Sequence, residues 1–99
     1  MINWGASNVQ EELKARIGDR IRFVWDGDDN VWSFATESAY ENCDFQVATE
    51  ISSNSPVEYY IESLPLYFAS NVGSNCNEGH KLFVSEEGNE YVVLYFHQF

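Results

Sequence analysis

The sequence predicts an all-β fold, a sandwich or barrel in a single domain over residues 1–99, with one or two short helical turns. Three observations predict it. Apolar residues alternate with polar ones in short runs, the runs are rich in aromatic and β-branched residues, and compact polar turns separate them. The turn signals are "IGD", "DGDDN", "SSNSP", "NVGSN" and "EEGNE".

The elements follow in chain order. "SNVQEELKAR" reads either as a helix, with Ser7 or Asn8 as cap, acids in its first turn and bases in its last, or as an irregular lead-in to the next strand. Val9, Leu13 and Ile17 would share the helix's apolar face. In "DRIRFVW", Ile21, Phe23 and Trp25 share one face of a strand, opposite Arg20, Arg22 and Val24. "NVWSFA" is a further strand, and "SAYENC" a second candidate helical turn. In "PVEYYIE", Val57, Tyr59 and Ile61 alternate with Glu58, Tyr60 and Glu62. "LYFA" and "KLFV" continue the β pattern. In the tail, Val92, Leu94 and Phe96 alternate with Tyr91, Val93 and Tyr95, which predicts an added strand or pairing with a neighbouring chain.

A hydrophobic content of 44% places the chain among globular proteins rather than disordered ones. Its net charge of −11 sets phosphate backbones and anionic lipid surfaces against a repulsive field. Nucleic acid is therefore excluded as a partner. No apolar run reaches the roughly 18 residues of a membrane span, so direct membrane insertion of this domain is not expected.

The stretch "LPLYFASNVGSNCNEGHKLFV" carries a resemblance. Its Tyr67-Phe68-Ala69-Ser70, Ser74-Asn75-Cys76 and Gly79-His80-Lys81-Leu82 are similar, without a gap, to the C-terminal motifs of phytocyanins. Those are the plant blue-copper branch of the cupredoxins. Upstream, "RIGDRIRFVW", "DNVWSF" and "SAYENCD" resemble the family's earlier motifs in order, and the likeness spans residues 14–84. It implies a cupredoxin-like Greek-key β-sandwich.

The likeness also implies where copper ligands would stand. The family's two histidines, cysteine and axial ligand fall at Asp29, Asn75, Ser70 and His80. None keeps its usual residue. Without a thiolate a blue-copper site cannot form. The chain is most similar in this respect to the early-nodulin-like type that lacks copper ligands. The resemblance further pairs Cys43 with Cys76 as a disulfide. Two cysteines with none left over in a small acidic β-domain agree with one bridge in an oxidising compartment, against two buried free thiols.

The remaining candidates are weaker. Asp26, Asp28, Asn30 and Glu37 occupy positions 1, 3, 5 and 12 of a calcium-loop register, but Val31 stands where glycine is needed. His80 and Asp29 are candidates for a residual copper or zinc site, while His97 lies far from them in sequence. Ser70 and His80 have no acid placed to complete a triad. Trp4, Trp25, Trp32, Tyr59, Tyr60 and Tyr67 exceed what alternation alone would bury, and Trp4, Trp32, Tyr60 and Tyr67 are the candidate binding aromatics. The sequence thus points to a non-enzymatic, secreted, cell-surface or lumenal module without cofactor, for a polysaccharide or extracellular protein partner. A copper-binding electron-transfer protein with an atypical site at His80 and Asp29 is the alternative.

Overall fold

The computed structural model describes residues 1–5 and 11–87, which form two packed β-sheets. The strands are β1 (Ile2–Asn3), β2 (Glu12–Ala15), β3 (Arg20–Val24), β4 (Val31–Phe34), β5 (Ala48–Ser52), β6 (Val57–Tyr60), β7 (Leu66–Ala69) and β8 (Lys81–Glu86). One sheet has the order β1-β3-β6 and the other β2-β8-β7-β4-β5. β1 with β3 and β2 with β8 are parallel pairs, and the other described pairings are antiparallel. The all-β sandwich is therefore present. The short helix α1 (Glu37–Glu41) and two 3-10 turns, Phe45–Val47 and Cys76–Glu78, supply the helical content of the described residues.

Alternation explains how the sheets close on each other. Ile21, Phe23 and Trp25 point inward from β3 and its end, and Leu82 and Val84 point inward from β8. Phe68 lies between Phe23 and Tyr59, with ring centroids 5.2 and 5.1 Å away in edge-to-face geometry. Full burial of such side chains contributes about 1.5–3 kcal/mol each.

The outer face of the larger sheet has its own cover. α1 begins at Thr36, whose hydroxyl accepts from the Ala39 N–H. The helix lays Ala39 and Tyr40 over Phe34, Ala69 and Cys76. The disulfide Cys43–Cys76, with Cα atoms 6.1 Å apart, ties this cover to the loop before β8.

The helix expected around Leu13 is not formed where the chain is described. Glu12–Ala15 is a strand pairing in parallel with β8, and residues 6–10 lie outside the described residues. Leu13 packs against the core and Ala15 is buried, a period of two, while Ile17 is 60% exposed. Tertiary pairing overrides the helical propensity of "EELKAR". The tail strand expected over Tyr91–Phe96, and His97, also lie outside the described residues.

Candidate functional site

Two loops meet at one end of the sandwich. The turn before β4 brings Asp29, and the β7–β8 connection brings Ser70, Asn75 and His80. The four positions converge. The Ser70 hydroxyl, 0% exposed, donates to Asp29 Oδ1 at 2.6 Å. It accepts from the Asn75 side-chain amide and the Val72 N–H, both at 3.2 Å. Its one donor and two acceptor positions are thereby used. Asp29 Oδ1 also accepts from the Asn30 N–H at 2.8 Å. His80 Nε2 stands 3.5 Å from Asp29 Oδ2. That nitrogen is buried and has no hydrogen-bond partner among the described residues.

Local backbone explains the arrangement. The Ser70 N–H donates to the His80 carbonyl at 3.1 Å, closing the β7–β8 loop at its base. Inside it, the Asn75 carbonyl accepts from the His80 N–H at 2.9 Å. The turn Cys76–Glu78 ends at Gly79, whose φ of 94° is a left-handed conformation that favours glycine. That reversal brings His80 back against Asp29.

Trp4 completes the site from behind. Its indole N–H donates to the Asn30 carbonyl at 2.7 Å, and its ring meets His80 edge-on at 4.7 Å. It is 0% exposed, so it presents no face to a ligand. This corrects its place among the candidate binding aromatics: the edge-to-face contact with Phe23 makes it a core residue that props the ligand-position loop. Trp25 is buried too. Trp32 is half-buried and meets Phe45 edge-on at 5.7 Å. Tyr67 is half-buried between Tyr40 and Phe83. Tyr60 is 61% exposed, with the Arg20 guanidinium 5.7 Å from its ring centre. The Trp4–Asn30 bond had no sequence signal, because the partners are 26 residues apart and one is a carbonyl.

The calcium-loop register does not assemble. Asn30 Oδ1 is taken by the Asn71 N–H at 2.7 Å. β4 then carries the chain about 13 Å along the sheet before exposed Glu37 opens α1.

Copper fits this donor set poorly. It offers one imidazole, one carboxylate, a hydroxyl and an amide, and no thiolate. The hydroxyl and amide are already bonded to each other. No group of three or more His, Cys, Asp or Glu able to hold a metal ion occurs among the described residues.

No protein-family model matches the chain. Among solved structures, the chain is similar to cucumber stellacyanin with Cu2+ at pH 7.0. Identity is 28% over 74% of this chain and 69% of that one, with a TM-score of 0.66. It is also similar to spinach plantacyanin at 22% identity, over 87% of this chain and 96% of that one, with a TM-score of 0.73. The architecture is that of a cupredoxin. Within that class the chain's fold is similar to that of these two phytocyanins.

Two predictions follow from the hydrogen-bond network. Ser70→Ala removes one of the two donors to a buried carboxylate oxygen and the acceptor of two N–H groups at once. The expected loss is about 2–3 kcal/mol of unfolding free energy, read by urea denaturation. The second concerns acid. Burial, the larger influence, lowers the His80 pKa from 6.5, while Asp29 and a backbone hydrogen bond at Trp4 pull it up. The folded value lies below the unfolded one, so protons favour the unfolded chain. His80 therefore costs no stability well above pH 6.5, and stability falls as pH drops through and below that value. His80→Gln should flatten this dependence in denaturation midpoints compared between about pH 7.5 and pH 5.

Proposed function

We propose that the chain is a non-catalytic, phytocyanin-like binding or structural module that has exchanged its blue-copper ligands for a protein hydrogen-bond network. The observation that supports this reading is the 2.6 Å bond between Ser70 and Asp29, made at two of the ligand places. It satisfies with protein groups what a thiolate and an imidazole would have given to a metal. Asp29 stands beside His80, but the Ser70 hydroxyl, 0% exposed, donates to Asp29 and not to the imidazole, so the serine–histidine bond of a triad is not made.

The disulfide supports an oxidising compartment, and we read the domain as secreted, cell-surface or lumenal. With a net charge of −11, its partner is a polysaccharide or an extracellular protein rather than a nucleic acid. A second reading, a metal or electron-transfer site, draws on His80 Nε2, which stands beside Asp29 with no hydrogen-bond partner among the described residues. Two such donors hold Cu(II) only weakly and without a sulfur charge-transfer transition.

Copper titration of the purified native protein, followed by dialysis and metal analysis, separates the readings. The expected result is no intense blue band and no copper retained after dialysis. One tightly held copper per chain would establish the second reading instead.

A further inference from the structure

Among the described residues, the outer face of the larger sheet is not covered along its whole width. α1 and the disulfide cover its Phe34 side. Towards β2, Tyr67, Phe83 and Glu12 stand side by side in register on one face. Here a groove of about 280 Å3 is lined by Glu11, Glu12, Tyr40, Gly79, Lys81 and Phe83. That volume lies near the small end of ligand sites and suits a single ring-sized group.

The lining is ordered by its own contacts. Tyr67 stacks on Phe83 with centroids 5.5 Å apart and packs on Tyr40 at 5.3 Å. Lys81 Nζ donates to the Tyr40 carbonyl at 2.9 Å and sits 4.5 Å from the Tyr40 ring centre. An ammonium has three protons, so a fixed Lys81 still has donors to offer. On the other wall, the Glu11 carbonyl accepts from the Phe83 N–H at 2.9 Å, which pins the base of the Glu11 side chain. The Glu11 carboxylate acts on Tyr40, whose hydroxyl pKa is pushed up to about 12, chiefly by burial and further by that charge.

We propose that this groove is a saccharide subsite that takes one neutral pyranose ring of a polysaccharide chain. Phe83 meets the apolar C–H side of the ring, Lys81 donates to its hydroxyls and Glu11 accepts from them. An aromatic platform with a fixed donor and a carboxylate acceptor beside it is the chemistry a polyhydroxylated ring requires. Glu12 pairs with Lys14 Nζ at 3.9 Å, and the chain's net charge of −11 sets the site against uronates and other anionic sugars. The proposal rests on the binding-module reading and names the ligand class for it.

The test is an NMR titration of 15N-labelled protein with methyl β-glucoside, methyl β-galactoside, methyl β-xyloside, their β-linked oligomers and glucuronate. Saturable shifts at the Tyr40, Gly79, Lys81 and Phe83 amides are expected for at least one neutral sugar. Lys81→Met, Glu11→Gln and Phe83→Leu should each weaken that binding about tenfold, and Val47→Ala, at an exposed position beside the opposite edge of the sheet, should leave it unchanged. Circular dichroism of each variant should match the parent. Binding of glucuronate alone, or neutral-sugar binding indifferent to all three substitutions, would overturn the proposal. Saturable shifts confined to the Arg20–Tyr60 face would overturn this subsite while leaving the binding module standing. Absence of saturable shifts with every sugar would refute the saccharide proposal and leave a protein partner as the module's reading.

Discussion

Replacing both cysteines, Cys43→Ala together with Cys76→Ala, is expected to lower unfolding stability by about 3–4 kcal/mol. The bridge spans 33 residues of sequence, and its loss returns that loop's freedom to the unfolded chain. Cys76 is also 3% exposed among Phe34, Ala39 and Ala69, so the alanine leaves a partly empty pocket. For a domain of 99 residues the loss is a large share of a total of about 5–15 kcal/mol. Urea denaturation of the oxidised parent and the double variant measures it. A change under about 0.5 kcal/mol would mean that the cover of α1 over the sheet holds without the bridge.

Trp4→Ala is expected to cost about 3–5 kcal/mol, the range for a fully buried large aromatic. Its ring packs edge-on against both Phe23 and His80, and its N–H is bonded to the Asn30 carbonyl. Trp4→Phe divides the two contributions. It keeps much of the packing and strands the Asn30 carbonyl, so about 1–2 kcal/mol should remain lost. Thermal and urea unfolding of the two variants, read with near-UV circular dichroism, check this. Equal losses from both would assign the whole effect to the hydrogen bond.

Much of the sandwich was legible because alternation reports a buried face. β3, β4, β6, β7 and β8 all fall on runs with that pattern. β5 was not legible: "ATEIS" is an edge strand with mostly half-buried or exposed residues, so its faces differ little. β2 was misread, because "EELKAR" has helical capping and charge order while its strand identity comes from pairing with β8. Trp4 was misread for a related reason. An isolated tryptophan near the chain start has no local pattern, and only the parallel pairing of β1 with β3 carries it inside. The four ligand places were assigned from motif spacing, and the loops bring those residues together. Spacing said nothing of the bonds they make with each other, since a serine at Ser70 is equally compatible with an open polar loop.

On the proposed reading, a cupredoxin ligand frame persists here with its side chains exchanged. The most direct measurement adds copper to a variant carrying Asp29→His, Ser70→Cys, Asn75→His and His80→Met together. Mass analysis first confirms that the Cys43–Cys76 bridge is kept and that the new thiol is free. An intense blue thiolate-to-copper band is the predicted result, because two imidazoles, a thiolate and a weak axial sulfur would then stand on loops that already converge. A folded, correctly bridged variant that stays colourless with copper would contradict that reading.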